Sequence, residues 1–409
     1  MATNNILPIL PFKDFKWKWA SYQCTEGIND PVVLLGVLFR MAKLEGRYRY
    51  SSDEFAQELI NLANDLESSG VDVDLRGRTG ARNIIRNSGQ YWKALNLIPS
   101  DRTGGRITLT DFGRKVANHT ISQTEFSAQT IISFKLPNRA IQSPQEISQW
   151  NNAGLEIRPL KLILSIVSKL WAIDHSKGYI TTNELVKIVI PLSGTANRPI
   201  GDFVLSIIQY RSGHLDITNW PNCCPASNDF RIAREFLLFL SYYGYLNKYD
   251  ADSRENEEYH YNSFIDAEIQ EILKTKLGIL DLSVISDTER KIVAHYQKRP
   301  NQAKFRKVVL EACPRCVISN VEMPEVLEAA HIKPFKYKGE DIAANGFMMR
   351  LDIHLLFDAG HLRISADGDV FLSDKARWSY GSTIPPRIFI PDYVNKDFLR
   401  WRWDNYNGV

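Results

Sequence analysis

Apolar residues recur at helical spacing over residues 31–46, from Val32, Leu34 and Leu35 through Val37, Leu38 and Met41, with Pro31 at the start. That period predicts a buried helix. A second helix is expected over 52–68, started by a Ser51 or Ser52 cap with Glu54 in its first turn, and a third over 80–96. Leu97-Ile98, a turn at 100–105 and the alternating Arg106-Ile107-Thr108-Leu109-Thr110 predict a short hairpin, and Asp111 to Ala117 a closing helix. A similar order returns downstream. Leu160 to Ile173 reads as an amphipathic helix, and Ile180 to Leu185 opens another with a hydroxyl cap ahead of Glu184. Residues 203–210 are apolar, 230–243 form a strong helix, and Tyr259-His260-Tyr261 returns as a strand after a charged turn at 250–257. Between the two series, residues 120–151 carry scattered Ser, Gln and Pro with weak period and read as a connector. A helix over 265–282 leads to a last region. There Val326 to Ile332 predicts a strand, 333–346 a polar loop, and Met348 onward a helix with Met348, Leu351 and Leu355 on one stripe.

These elements describe a mostly α chain with short β hairpins, an α+β protein. Three helices, a hairpin and a final helix resemble a winged helix-turn-helix, and the second series resembles another with a longer, more acidic hairpin. The expected domains are a winged-helix-like recognition domain over 1–125, a connector over 126–150, a second winged-helix-like domain over 151–280 and a C-terminal domain over 281–409. On the third helix, Ile84, Ile85, Tyr91, Trp92 and Leu95 form a buried stripe. Arg82, Asn83, Arg86, Asn87 and Gln90 fall on the other side. Arg, Asn and Gln are the side chains that pair bidentately with base edges, and Arg102 and Arg106 in the wing suit phosphates. Any one of them alone is an ordinary solvated residue; the face as a whole points to DNA. Arg231 and Arg234 of the second unit are further contact candidates.

Overall charge adds little, since 50 Lys and Arg against 47 Asp and Glu give a net charge of +3. A nucleic-acid surface would have to come from local clustering. One cluster exists: Arg290, Lys291, Lys298, Arg299, Lys304, Arg306, Lys307 and Arg315, read as a floor for a phosphate backbone. Five cysteines, odd in number and unevenly spread, argue against a disulfide framework and fit a reducing cytoplasm. No run approaches the ~18 apolar residues of a membrane span, and residues 1–11 lack the basic start and apolar run of a signal peptide.

The most specific pattern lies near the C-terminal end. Glu328-Ala329-Ala330-His331-Ile332, then Asn345-Gly346, then Arg350-Leu351-Asp352-Ile353-His354 gives H-x13-N-x8-H. This order resembles the HNH nuclease motif, whose ββα-metal fold cuts phosphodiesters. The resemblance implies His331 as general base, Asn345 as the residue that fixes the loop and orients His331, and His354 as a metal ligand. Such chemistry needs an imidazole that takes a proton near neutral pH and a cation at the developing charge. Many HNH nucleases carry Asp or His directly before the base, where this chain has Ala330. Asp358, one helical turn after His354, is the expected second carboxylate near the metal. Glu328 is a weaker candidate, because strand alternation puts it on the opposite face from His331. Arg350, at the same four-residue spacing before His354, is a DNA-contact candidate. The expected ion is Mg2+, with Mn2+ able to substitute. Cys313 and Cys316 supply two ligands and no cysteine follows them, so no structural zinc is expected. The aromatic and basic segment 398–403 is expected to pack across the small nuclease fold.

The whole resembles a type II restriction endonuclease: a sequence-specific enzyme that hydrolyses double-stranded DNA, with recognition modules ahead of an HNH domain. That resemblance implies a homodimer and a companion DNA methyltransferase. Two alternatives stand beside it, a modification-dependent defence nuclease and a winged-helix DNA-binding regulator with a degenerate nuclease module.

Overall fold

The structure, a computed structural model, describes residues 6–17, 19, 27–68, 84–101, 104–224, 227–275, 302–334, 337, 339–358 and 360–405. The first unit is built on α1 (Pro31–Leu44), which starts at Asp30 with proline at the first helical position. The Asp30 carboxylate accepts from the Val32 amide at 2.9 Å, a side-chain cap of the first turn. Val33, Leu34, Val37, Leu38 and Met41 are fully buried, because α2 (Asp53–Ser68), α3 (Ile84–Ala94) and α4 (Asp111–Ala117) surround this helix. Trp92 of α3 donates its indole N–H to the Leu34 carbonyl at 3.1 Å.

The expected hairpin takes another form. The Leu97 and Ile98 amides both turn back to the Trp92 carbonyl and close α3. The chain after the turn pairs instead with the link between α1 and α2: Arg106 bridges Arg49, and the Ile107 amide donates to Tyr48 at 3.0 Å. The supposed connector is also more ordered than its weak period suggests. It forms α5 (Gln123–Ser133) and α6 (Pro144–Asn152), each opened by a capping box, Ser122 with Glu125 and Ser143 with Glu146. Phe126, Ile131, Phe134 and Trp150 bury their side chains in the core.

The second unit runs α7 (Pro159–Ile173), β1 (Tyr179–Thr181), a helical stretch α8 over residues 182–192, α9 (Ile200–Arg211), α10 (Ser227–Tyr242), β2 (Leu246–Tyr249) and β3 (Glu258–Tyr261). The hydroxyl cap is Thr181, in a capping box with Glu184. The strands form one antiparallel sheet in the order β1-β3-β2, with Tyr179 opposite His260 and Leu246 opposite Tyr261. Then α11 (Asp266–Lys274) packs back. A single hydrophobic core extends from Phe15 to Ile272, so the two units share their interior. Arg234, a DNA-contact candidate by sequence, is buried here. Its guanidinium pairs with both oxygens of Glu257 at 2.5 and 2.7 Å.

The C-terminal unit contains α12 (Gln302–Ala312), β4 (Leu327–His331), β5 (Gly346–Arg350), α13 (Leu351–Asp358), β6 (Leu362–Ile364), β7 (Val370–Leu372), α14 (Asp374–Tyr380) and α15 (Lys396–Asn405). The helix expected from Met348 starts only at Leu351. Residues 346–350 are a strand, paired antiparallel with β4 so that His331 faces Gly346 and Leu327 faces Arg350. Phe347, Met348 and Met349 are buried, and a short run that is apolar on both faces carries no period to separate strand from helix. This unit has its own core around Phe305, Leu327, Phe347, Phe357 and Leu399, while Met323 and Leu351 belong to the upstream core. Among the described residues, no helix is long and apolar enough to cross a membrane.

Candidate active site

β4 ends at His331. Phe305 of α12 stacks on its ring, with centroids 3.7 Å apart and an interplanar angle of 11°. Its Nε2 lies 2.8 Å from Asp341 Oδ1. A carboxylate only accepts, so the proton sits on Nε2 and the basic lone pair on Nδ1. Asp341 gave no signal in the sequence, because an acidic residue in a polar loop has no period to mark it.

Asn345 is fully buried and closes the loop. Its side-chain oxygen accepts from the Lys333 amide at 2.8 Å, and its nitrogen donates to the carbonyls of Lys333 at 3.0 Å and Glu340 at 2.9 Å. Its own carbonyl accepts from Ile332 at 2.9 Å. One side chain and one carbonyl therefore fix the two residues that follow His331. Glycine is needed on both sides of this clip. A Cβ at Gly339 would lie 1.8 Å from the Lys333 carbonyl oxygen, and one at Gly346 would lie 2.5 Å from Val309 Cγ2 and 2.8 Å from Phe305 Cζ.

His354 lies between two carboxylates. Nδ1 is 3.0 Å from Glu328 Oε2, and Nε2 is 3.1 Å from Asp358 Oδ2. Burial alone would pull this imidazole down; Asp358 and Glu328 outweigh it and push it up to about 10. Glu328 is itself held low: burial raises it, but His354 and the amides of Gln123 and Thr124 more than offset that. Glu328, which strand alternation ranked as the weaker candidate, nonetheless reaches the helix histidine through its contact with Nδ1.

The stripe of Arg350, His354 and Asp358 holds only for the last two. Arg350 ends β5 and forms a two-point ion pair with Asp352, at 2.7 Å for each contact. The link between the two histidine regions is Arg402 of α15, which the sequence placed only as part of a packing tail. It is buried and donates to the carbonyls of His331 at 3.2 Å, Ile332 at 3.0 Å and Phe357. Its guanidinium stacks 3.6 Å over the Phe357 ring and lies 3.7 Å from Asp358 Oδ1.

Among the described residues, no three His, Cys, Asp or Glu side chains form a ready metal group. The donor set at His354 and Asp358 still fits a hard divalent ion. Once Nε2 gives up the proton it shares with Asp358, the pair offers one imidazole nitrogen and one half-exposed carboxylate, and Mg2+ usually takes its remaining ligands from water and phosphate. The Cys316 sulfur is buried and accepts from the amides of Ser319 at 3.3 Å and Arg350 at 3.4 Å, so it packs beneath the strand.

Of the recognition candidates, Arg82, Asn83 and Arg102 lie outside the described residues, as do the side chains of Arg86 and Asn87 on α3. Gln90 is exposed on α3. Arg106 is exposed, with Nη1 3.4 Å from the Gly46 carbonyl. In the basic run, Arg290, Lys291, Lys298 and Arg299 fall outside the described residues. Arg306 is buried and donates to the carbonyls of Pro324 at 2.6 Å and Leu327 at 3.1 Å. It anchors β4 and cannot serve as the expected phosphate contact.

Among solved structures, a crystal structure of pyrene- and phenanthrene-modified DNA in complex with the BpuJ1 endonuclease binding domain aligns with 69% of this chain and 97% of that one, at 14% identity and a TM-score of 0.41. No curated protein matches the chain. Residues 316–365, which hold β4, the Asn345 loop, β5 and α13, match the HNH endonuclease family, so the chain carries an HNH endonuclease domain.

Proposed function

We propose that this protein is a sequence-specific endonuclease that hydrolyses double-stranded DNA, of the type II restriction class. The observation that carries the nuclease part is the oriented His331, fixed by Asp341 on its ring and by the Asn345 clip on the backbone beside it. In this reading the Nδ1 lone pair of His331 takes a proton from the attacking water. The proton-loaded ring then faces Asp341, which steadies the positive charge. Asn345 keeps the strand end and the loop in register. His354 and Asp358 would hold a divalent ion, which would supply charge stabilisation at the scissile phosphate. Arg402 holds β4 and α13 at a fixed separation through backbone carbonyls.

The recognition part draws support from the second unit. Its order of helix, strand, helices and two strands, with a β1-β3-β2 sheet, is what a winged-helix reading requires. The exposed Gln90 on α3 is compatible with a base-reading helix in the first unit. A homodimer, a cytoplasmic site and a partner methyltransferase belong to the same proposal.

The test is His331→Ala. The variant should lose double-strand cleavage of plasmid DNA by at least ~100-fold and keep its gel-shift affinity, because the base acts only in the chemical step. The parent should lose activity with a chelator and regain it with Mg2+ or Mn2+. Undiminished cleavage by the variant removes His331 from the mechanism. The second reading, a DNA-binding regulator with a degenerate nuclease module, is favoured by Ala330 and by the two-donor metal set. A parent that binds DNA but never cuts it would establish that reading instead.

A further inference from the structure

Glu328 joins two distant parts of the fold. Oε1 accepts from the Gln123 amide at 2.6 Å and the Thr124 amide at 3.3 Å. Oε2 accepts from the Thr124 hydroxyl at 3.3 Å and lies 3.0 Å from His354 Nδ1. The residue is only 4% exposed. The N terminus of α5 explains the first set of contacts. Ser122 caps the Glu125 amide, and Glu125 returns to the Ser122 amide. The amides of Gln123 and Thr124, at the first two helical positions, are those this box does not reach. A side chain 205 residues further along the chain satisfies them. Helix α5 is itself fixed in the upstream core, where Phe126 and Ile131 are fully buried and the Ser127 hydroxyl sits 3.1 Å from that of Tyr245.

We infer that Glu328 is a positioning residue for cleavage, and that the upstream helix α5 sets its position. This inference rests on the nuclease reading above. A carboxylate at Nδ1 requires a proton there, and Nε2 faces the Asp358 carboxylate at 3.1 Å, so a cation taken up beside Asp358 would replace the proton on Nε2 while Glu328 keeps the one on Nδ1. Histidines that bind metals commonly need their other nitrogen held in this way. Here the holding carboxylate is aimed by two amides from the recognition side of the molecule. A shift of α5 therefore moves Glu328, and through it the ring of His354. The HNH unit gains its oriented histidine only when docked.

Two substitutions in the full-length protein test the chain of contacts. Glu328→Gln keeps the size and an oxygen for α5, but presents an amide N–H to Nδ1 and drives the ring to the opposite tautomer. It should weaken Mn2+ binding by about 10–100-fold, measured by calorimetry without DNA, and slow cleavage in parallel. Gel-shift affinity and melting temperature should stay near the parent values. Gln123→Pro removes the 2.6 Å donor where proline suits the first helical position, and Ser122 is already extended at ψ 166°. It should weaken Mn2+ binding several-fold, while Gln123→Ala, which keeps the amide, should not. Parent-like Mn2+ affinity in Glu328→Gln overturns the positioning role, and a lowered melting temperature with unchanged Mn2+ affinity reduces Glu328 to a structural residue. Equal behaviour of the two Gln123 variants overturns the part played by α5. A parent that neither binds Mn2+ nor cuts DNA fails the nuclease reading itself, and this inference falls with it.

Discussion

His119 shows what a single side chain can contribute. It sits at φ 59°, with its ring centroid 4.8 Å from that of Phe39. Burial, with Arg306 nearby, lowers its imidazole to about 4, against a small upward pull from Glu328. The folded state thus holds the ring neutral, whereas the unfolded chain takes up a proton near pH 6.5. Stability from this group is complete above pH 6.5 and is lost as the pH falls toward 4, because the unfolded state binds the extra proton. Its size is on the order of 3 kcal/mol. His119→Asn suits the left-handed backbone and removes the titration. Urea denaturation at a series of pH values should therefore show a shallower acid slope for the variant. Equal slopes would mean that the ring is not held neutral.

At the scale of elements, the close contact between α12 and β5 makes Gly346 a sensitive position. Its φ of −139° is ordinary extended backbone, so the need for glycine is purely one of space. Gly346→Ala would press Cβ into Val309 and Phe305 and should cost about 1–3 kcal/mol, as overpacking does. Because Phe305 stacks on His331, cleavage should fall as well. Denaturation and plasmid cutting read the two effects separately, and a parent-like variant would show that α12 yields freely. The same packing explains what could be read from the sequence. Helices α1, α2, α4, α7 and α10 were legible because their apolar residues keep helical period, and Asp30, Ser52 and Thr110 add side-chain caps to α1, α2 and α4. Helix α5 was not, since it buries Gln123, Glu125, Ser127 and Thr130 among its apolar residues and so blurs its own period. Its capping box was the signal available. Strand β5 was missed because both of its faces are covered. His331, Asn345, His354 and Asp358 were legible by their order and spacing. Asp341, Glu328 and Arg402 act through contacts made across the fold, which spacing does not encode.

At the scale of the molecule, the HNH unit is docked and not merely appended. Met323 and Leu351 lie in the upstream core, and Glu328 completes a helix there. A fragment from about residue 281 onward should therefore melt well below the full chain and show at most weak, unspecific nicking. Site-specific cutting by that fragment would remove the recognition role assigned to the preceding residues. The shared interior was not legible in the sequence, because apolar period records that a face is covered and not by what. The Arg402 clamp adds an order in time. A polypeptide synthesised only as far as Pro391 already contains His331, Asn345, His354 and Asp358, yet it lacks the guanidinium that ties β4 to α13. During translation every motif residue emerges before the part that ties them together, so a chain that stops short of α15 should hold His331 and His354 less firmly than the full chain does.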